Sequence, residues 1–203
     1  MAFTPPVTDY NNYASASLTF YDNKIVVEDS GSMYNSIEVM MDWEHPIMSA
    51  SAAYVTQNGG DILEIGFGMG ISAGYIQSHS ISSHTIIENH RQIIPKAIEW
   101  ANGKSNVTIV SQSWYSVKDS IGKFDGIFMD TFGDNDYSKH FSSSLSTLGK
   151  SGTKVTFWNT EGYGEWDGLE IPNTTYQSIT GFEIVEDNKY YLTSSYYMPK
   201  VSL

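Results

Sequence analysis

The chain has no cysteine among its 203 residues, which excludes disulfide bridges, thiolate metal sites and a cysteine nucleophile. It also lacks any apolar run near the roughly 20 residues that a membrane-spanning helix requires. Residues 1–10 have neither the basic start nor the apolar centre of a signal peptide. We therefore expect a cytoplasmic protein that makes no contact with a membrane.

Basic residues are scarce: 11 Lys and Arg stand against 23 Asp and Glu, and the formal net charge is −12. A nucleic-acid-binding protein needs a basic patch to neutralise phosphates, so no nucleic-acid partner is expected. The acidic field favours small cations or basic peptide segments as partners. Solubility alone is the other interpretation of the same charge.

A length of 203 residues fits one α/β domain. The middle of the chain alternates β-like and helix-like runs, which is typical of a parallel sheet built from βαβ units. The predicted strands are 61–65, 84–88, 106–110, 124–129 and 154–158. The predicted helices are 71–77, 91–101 and 137–148. Two late β-like runs predict an antiparallel hairpin at the sheet edge, namely 182–185 and 190–197.

The N-terminal part, 1–40, has too few apolar side chains to form a core of its own. Alternation over 18–27 predicts a hairpin, and 29–35 has the composition of a turn. We interpret 1–40 as a cap over the mouth of the main domain at 41–203. The cap contains three tyrosines that we expect to be core or surface residues rather than pocket residues: Tyr10, Tyr13 and Tyr21.

A glycine-rich turn follows the first predicted strand of the domain. It reads Gly66-Phe67-Gly68-Met69-Gly70, and glycine there permits positive φ and close approach of a ligand. Ligands of open α/β sheets bind outside the carboxyl ends of the strands. The G-x-G-x-G spacing differs from the dinucleotide fingerprint G-x-G-x-x-G and is commoner in methyltransferases that use S-adenosylmethionine (SAM). The alternative is a tight turn that holds no ligand.

Three further residues stand near the ends of predicted strands. Glu88 ends the second strand, 20 residues after Gly68, where a carboxylate accepts hydrogen bonds from ribose hydroxyls. Asp130 ends an apolar strand and would lie in the mouth of the site, and Trp114 would stack on adenine. The alternatives are a surface carboxylate for Glu88, a helix cap or turn residue for Asp130 and a core aromatic for Trp114.

The segment from Met40 to Met48 precedes the sheet and has an unusual composition. Pro46 predicts the start of a helix that places Met48 and Ala52 on one face. Glu44 then lies at the N-terminal end of this helix, where the helix dipole favours a carboxylate. Capping of the helix is the structural alternative to a binding role for Glu44.

Four motifs occur in the order found in a known family: Trp43-Glu44-His45-Pro46-Ile47-Met48, Leu63-Glu64-Ile65-Gly66-Phe67-Gly68-Met69, Ile86-Ile87-Glu88, and Phe124-Asp125-Gly126-Ile127 with Asp130-Thr131. Over 39–157 the chain resembles the guanidinoacetate N-methyltransferase family and the related fungal protein-arginine δ-N-methyltransferases. Agreement is weaker at Tyr196-Tyr197. The resemblance implies a class I SAM-dependent methyltransferase, which is an α/β, Rossmann-like fold. Its sheet is seven-stranded and mostly parallel, with a C-terminal antiparallel hairpin.

The resemblance also implies roles for individual residues, with SAM as the cofactor and no metal. The residues expected to bind SAM are Met40, Met48, Glu64, Gly66, Phe67, Gly68, Met69, Gly70, Glu88, Ser113, Trp114 and Asp130. Glu44 and Asp130 match the two carboxylates that hold the guanidino group. The substrate-binding set also includes Thr160 and Glu161, which match the segment that holds the substrate carboxylate in guanidinoacetate methyltransferases.

Two carboxylates suit the chemistry of a guanidinium. The group has a pKa above about 12, so it is protonated and a poor nucleophile, and its planar fork of N–H donors fits bidentate carboxylates. Glu44 and Asp130 are expected to orient one nitrogen. Asp130 is expected to take the proton as the N–C bond forms, which is general-base catalysis.

The physiological substrate is open at this stage. Glu161 would repel a substrate carboxylate if it faced the site, so guanidinoacetate, agmatine, free arginine and an arginine side chain of a protein are all candidates. Two other functions are alternatives: a SAM-binding module without catalysis and, against the order of the motifs, an aminopropyltransferase of the spermidine synthase type. The chain is expected to be a monomer or a homodimer.

Overall fold

Three short antiparallel strands lie near the start of the described chain. They are β1 (Leu18–Phe20), β2 (Lys24–Glu28) and β3 (Ser36–Met41), and they form a separate sheet in that order. The hairpin expected over 18–27 is confirmed, and β3 extends it. The computed structural model describes 13–28, 36–132, 140–159, 171–183, 191 and 193–203. Tyr10 and the turn expected at 29–35 lie outside the described residues.

A second sheet of seven strands forms the centre of the fold. Its strands are β4 (Asp61–Ile65), β5 (Ser83–Ile87), β6 (Val107–Val110), β7 (Phe124–Met129), β8 (Gly149–Phe157), β9 (Thr175–Thr180) and β10 (Ser195–Ser202). Their order across the sheet is β6-β5-β4-β7-β8-β10-β9. Strands β4 to β8 run parallel, whereas β10 is antiparallel to both β8 and β9. The expected α/β fold, mostly parallel with a C-terminal antiparallel hairpin, is confirmed.

Helices connect these strands and cover the sheet. In the described part of the chain they are α1 (His45–Val55), α2 (Ile71–Gln77), α3 (Ile94–Ala101), α4 (Trp114–Val117) and α5 (Phe141–Leu148), and a 3-10 turn at Asp42–Glu44 precedes α1. Pro46 lies in the first turn of α1, where the fixed φ of proline suits a helix start. Met48 and Ala52 lie on one face of α1 and are both fully buried, as expected. None of these described helices has both the length and the apolar character needed to cross a bilayer.

Both faces of the central sheet are buried, because side chains alternate between the faces along each strand. Ile62 packs on the side of α1, whereas Leu63 and Ile65 pack on the side of α5. Burial on both faces explains why β4 and β7 are almost continuously apolar. The same alternation turns Glu64, which lies between Leu63 and Ile65, toward the side of α2, where it contacts Ser72.

Several predicted bounds differ from the structure. Strand β8 begins at Gly149 rather than at 154, because Gly149 leaves α5 with an extended backbone (φ −100°, ψ 153°). The hydroxyl of Thr153 then donates to the carbonyl oxygen of Phe124 at 2.6 Å, which holds this early part of β8 beside β7. Helix α3 begins at Ile94, later than the predicted 91, with Pro95 in its first turn. The residues 137–139 of the last predicted helix lie outside the described residues.

The late hairpin is confirmed, but its bounds differ from the prediction: 182–183 are not in a strand, and of the described part of 190–197 only 195–197 are. The residues 184–185, 190 and 192 lie outside the described residues. The strands are β9 at Thr175–Thr180 and β10 at Ser195–Ser202. Strand β9 is an edge strand with mostly exposed polar side chains, so it has little apolar signal. Strand β10 contains Pro199, which has no N–H to donate and argues against a strand when read in sequence. Its carbonyl oxygen nevertheless accepts a hydrogen bond from Thr156 at 2.6 Å.

Candidate active site

The glycine-rich turn lies at the carboxyl end of β4, where the ends of β3 and β7 meet it. Gly66 has φ 96°, and a Cβ there would lie 1.9 Å from the carbonyl oxygen of Asp130. Gly68 has φ 53°, and a Cβ there would lie 2.5 Å from Sδ of Met40. Gly66 therefore requires glycine, because a side chain would meet fixed backbone, and the φ of Gly68 favours glycine as well.

Met40 brings the N-terminal sheet into contact with this turn. Its Sδ accepts a hydrogen bond from the backbone N–H of Met69 at 3.2 Å. Met48 is fully buried and belongs to the same cluster of core side chains as Met40. Gly70, with φ 75°, precedes α2, and the Phe67 ring occupies the space that a Cβ of Gly70 would need. The predicted residues of the turn thus come together with Met40, while Met48 packs in the core.

Glu88 follows β5 and is almost fully buried beside the turn. Its carboxylate accepts backbone N–H bonds from Phe67 at 3.0 Å, from Asn89 at 2.8 Å and from His90 at 2.8 Å. Burial raises the pKa of Glu88, and these backbone hydrogen bonds act in the opposite direction. The carboxylate therefore ties the glycine-rich turn to the segment after β5. The alternative of a solvated surface carboxylate does not fit its 6% exposure.

Asp130 follows β7 and lies against the glycine-rich turn. Its N–H donates to the carbonyl oxygen of Ile65 at 2.9 Å. The side chain is half-buried, and burial is the main cause that raises its pKa from 3.8 to about 7. The negative charge of Glu64 is the second cause. A carboxyl group with this pKa can both hold and release a proton near neutral pH.

Glu44 is buried at the start of α1, with 3% exposure. Its Oε1 accepts the backbone N–H of Met41 at 2.7 Å, across the 3-10 turn between β3 and α1. The side chain makes no capping hydrogen bond to the first turn of α1. Glu44 therefore caps the 3-10 turn rather than α1, and a role in binding stays a prediction.

Tyr196 is a further candidate residue that the sequence motifs missed, since the charges of both carboxylates reach it. Burial raises the pKa of Tyr196 well above its ordinary value, and the charges of Asp130 and Glu44 add to this effect. Both carboxylates therefore act on one buried hydroxyl at the carboxyl end of the sheet. The only signal in the sequence was the weak family agreement at Tyr196-Tyr197.

Tyr13 approaches the same region from the N-terminal segment. Its ring lies 4.9 Å from that of His90 and 5.0 Å from that of Phe132, measured between centroids. Burial raises the pKa of Tyr13 well above its ordinary value, with further contributions from the charges of Glu88 and Asp130. Tyr13 is thus a buried tyrosine beside the candidate site. Tyr21 is instead 54% exposed on the N-terminal sheet.

The predicted adenine-binding pair lies at the start of α4. Trp114 is 3% exposed and makes edge contacts with Phe141 at 6.1 Å and Tyr115 at 5.8 Å. Ser113 is half-buried and accepts the backbone N–H of Ser116 through its carbonyl oxygen at 3.1 Å. In this structure Trp114 packs in the core, and its contact with adenine stays a prediction. Two predicted substrate residues lie outside the described residues: Thr160 and Glu161.

The described residues around the turn fit SAM. Gly66 leaves a backbone surface without side chains, and the buried Glu88 and the half-buried Asp130 lie beside the turn. SAM carries an ammonium, a sulfonium and ribose hydroxyls, all of which carboxylates can bind. No group of three or more potential metal ligands occurs among the residues that the structure describes.

Solved structures share this fold. Spermidine synthase from Thermotoga maritima matches with a TM-score of 0.64 over 92% of this chain and 72% of that chain, at 13% identity. A protein from Escherichia coli described as a methyltransferase matches with a TM-score of 0.54 over 76% of this chain and 85% of that chain, at 14% identity. At such identities the likeness concerns the fold alone. The strand order and the glycine-rich turn define a class I SAM-dependent methyltransferase fold.

The chain belongs to the guanidinoacetate N-methyltransferase family, whose model matches 19–190. SAM is the cofactor that the family and the fold imply. A relative from Aspergillus oryzae, named protein arginine N-methyltransferase 2, is 31% identical over 191 residues, which cover 90% of this chain and 43% of the relative. A relative of the same name from Kluyveromyces lactis is 36% identical over 148 residues, which cover 68% and 34%. The chain thus spans less than half the length of these curated relatives.

Proposed function

We propose that this protein transfers a methyl group from SAM to a nitrogen of a guanidino group. The observation that carries the proposal is that Glu44 and Asp130 are both near enough to the buried Tyr196 for their charges to raise its pKa. A protonated guanidinium presents a planar fork of donors, and two carboxylates that face it can hold two sides of that fork. Bound SAM supplies the methyl group.

Asp130 is the proposed general base. A general base works best when its pKa is near the working pH, and that of Asp130 is about 7. A bound guanidinium favours the ionised form of Asp130, because an opposite charge lowers the pKa of a carboxyl group. Glu44 holds the other side of the guanidinium and keeps one nitrogen directed at the methyl group. Fixing the two reactants in this way supplies a further part of the rate acceleration.

The proposed SAM site is formed by the glycine-rich turn, with Met40 on one side and Glu88 on the other. Its support is the short contact of Met40 with Met69 and the three backbone hydrogen bonds that hold Glu88 at the turn. We propose that 1–40 acts as a cap on the domain at 41–203, since Tyr13 and Met40 both reach this region. Strand β3 (Ser36–Met41) runs across that boundary.

The substrate is proposed to be guanidinoacetate or a related guanidine, with arginine, free or in a protein, as the alternative. The family model is named for guanidinoacetate, whereas the relatives are named for protein arginine. A net charge of −12 is compatible with a basic peptide as partner. Chemistry at the guanidino group is the same for each of these substrates.

Methyl transfer can be tested directly with the purified chain, SAM and four substrates: guanidinoacetate, agmatine, free arginine and an arginine-containing peptide. Mass spectrometry should detect one added methyl group on at least one of them. The Asp130→Asn variant should lose turnover while it still binds SAM. Asp125→Asn is the matched control, because Asp125 lies at the other end of β7 and its Oδ2 pairs with Lys150 at 2.7 Å. Near-normal turnover of Asp130→Asn would remove Asp130 from the mechanism.

The same samples separate the two other functions. A SAM-binding module would bind SAM, as measured by calorimetry, and methylate none of the substrates. An aminopropyltransferase would bind decarboxylated SAM more tightly than SAM. The solved spermidine synthase structures share the fold at 12–13% identity, which supports no common reaction.

A further inference from the structure

The side chain of Gln92 acts as a strand partner for one edge of the N-terminal sheet. Its Oε1 accepts the backbone N–H of Leu18 at 2.8 Å, and its Nε2 donates to the carbonyl oxygen of the same residue at 3.2 Å. Leu18 begins β1, which is an edge strand of the three-stranded sheet. Edge strands present backbone groups that need partners, and an amide side chain can supply both a donor and an acceptor. Gln92, just before α3, therefore binds this edge to the main domain.

The two residues before Gln92 contact the N-terminal segment as well. The backbone N–H of Arg91 donates to the carbonyl oxygen of Ala14 at 3.4 Å. The ring of His90 lies 4.9 Å from the ring of Tyr13, and both side chains are buried. Three consecutive residues of the main domain thus contact the N-terminal segment.

A series of hydrogen bonds connects Gln92 to the glycine-rich turn. The N–H of Gln92 donates to Nδ1 of His90 at 3.2 Å, and the N–H of His90 donates to Oε1 of Glu88 at 2.8 Å. Oε2 of Glu88 accepts the N–H of Phe67, which lies in the turn, at 3.0 Å. The series runs without a gap from the turn, through Glu88, to Leu18 in the N-terminal sheet.

The opposite edge of the N-terminal sheet reaches the same turn. Strand β3 carries Met40, whose Sδ accepts the N–H of Met69 at 3.2 Å. Strand β2 lies between β1 and β3 and pairs with both. The sheet is therefore held at both edges, by Gln92 on β1 and by Met69 on β3, and each of these contacts connects to the glycine-rich turn.

We propose that Gln92 is a positioning residue: it holds the N-terminal sheet, and with it Met40, at the SAM site, so that SAM binding and docking of this sheet favour each other. The inference rests on the proposed SAM site at the glycine-rich turn and does not depend on which substrate accepts the methyl group. Such coupling is reciprocal: if the docked sheet strengthens SAM binding, bound SAM strengthens docking by the same factor. Docking and SAM binding can therefore be measured separately and compared.

The test measures both quantities in Gln92→Met, which keeps the length of the side chain and removes both hydrogen bonds to Leu18. Backbone amide exchange of 13–20, followed by mass spectrometry, should be about tenfold faster than in wild type, because two hydrogen bonds that hold this edge are lost. The Kd for SAM, measured by calorimetry, should rise by about three- to tenfold, since it cannot rise by more than the docking equilibrium falls. Addition of SAM to the wild-type protein should slow the exchange of 13–20.

Gln77→Met is the matched control. Gln77 is half-buried like Gln92, and its Nε2 lies 3.3 Å from Nδ1 of His84, within the main domain. This variant should keep the exchange of 13–20 and the Kd for SAM at the wild-type values, whatever its melting temperature. Gln92→Asn covers the case in which Gln92→Met does not fold: its amide is one methylene shorter and cannot reach both backbone atoms of Leu18, so the same two changes are expected.

A wild-type Kd for SAM in the folded Gln92 variants would overturn the inference, and so would equal changes in Gln77→Met or exchange of 13–20 that SAM does not slow. Methyl transfer by the same samples separates this inference from the proposed function. If both changes occur but no guanidine is methylated, the proposed function is wrong and the role of Gln92 stands. If a guanidine is methylated while the Gln92 variants bind SAM as wild type does, the inference is wrong and the proposed function stands.

Discussion

The phenolic oxygen of Tyr196 lies 2.8 Å from the backbone nitrogen of Asn159 and accepts its N–H, while its own proton points to the carbonyl oxygen of Phe157 at 3.3 Å. Nδ2 of Asn159 donates to the carbonyl oxygen of Tyr197 at 3.0 Å. The Trp158 ring stacks on Tyr196, with 5.1 Å between the centroids. Trp158 and Asn159, which follow β8, are therefore held against β10 by hydrogen bonds and ring stacking.

Loss of the Tyr196 hydroxyl should weaken substrate binding. Tyr196→Phe removes the hydrogen bond from the N–H of Asn159, so we expect kcat/KM for the methylated guanidine to fall about tenfold, mostly through KM. The Kd for SAM should change little. Tyr54→Phe is the matched control, because the Tyr54 hydroxyl also bonds to the backbone of β10, at Val201, with 2.8 Å. Equal kinetic losses in both variants would mean that Tyr196 acts only through stability.

Alanine at Gly66 should prevent SAM binding. A Cβ at this position would lie 1.9 Å from a backbone oxygen and would also require φ 96°, so the turn must move. We expect Gly66→Ala to lower the melting temperature and to abolish measurable SAM binding by calorimetry. Gly74, in α2, has open space around its Cβ position, and Gly74→Ala should be neutral or stabilise by about 0.5–1 kcal/mol. Normal SAM affinity in Gly66→Ala would argue against the turn as the cofactor site.

Ionisation of Asp130 should lower the free energy of unfolding as the pH rises. The folded state keeps its proton up to about pH 7, whereas an unfolded chain releases it near 3.8. Between these values the folded state binds more protons, so stability falls as pH rises through this window. Asp130→Asn should therefore be more stable than wild type at pH 8, by on the order of 1–3 kcal/mol in urea unfolding, since partial exposure reduces the full effect. Below pH 4 the difference should vanish. The same difference at both pH values would contradict the raised pKa.

The ion cluster at the opposite end of the sheet should affect stability alone. Nζ of Lys150 lies 2.7 Å from Asp125 and 3.0 Å from Asp61, at the beginning of β7 and β4. Because these groups are partly exposed, Lys150→Met should cost about 0.5–1 kcal/mol, and less at 1 M salt. SAM affinity should stay at the wild-type value in calorimetry. A large loss of SAM affinity would mean that the two ends of the sheet are coupled.

Local signals predicted the centre of the fold well and its edge poorly. The bounds of β4, α2 and β7 agree with the prediction, because strands buried on both faces are continuously apolar and glycine marks the turn between β4 and α2. Strand β9 has exposed polar side chains, and β10 continues through Pro199. Hydrogen bonds to β8 and β9 keep β10 in a strand despite that proline. Such pairing joins residues far apart in sequence, so a short stretch of sequence does not reveal it.

The candidate site was also predicted only in part from the sequence. The sequence by itself determined which chemical groups stand at the ends of β4, β5 and β7, because strand ends and glycine turns have local patterns, and it determined the family. Only the tertiary structure decided that the buried Tyr13 and Tyr196 lie within reach of the charge of Asp130, and that Glu64 pairs with His84 and Ser72. Burial and charge depend on distances in space between residues far apart in sequence. For that reason the pKa of Asp130, and with it the proposed base, follows from the fold rather than from any motif.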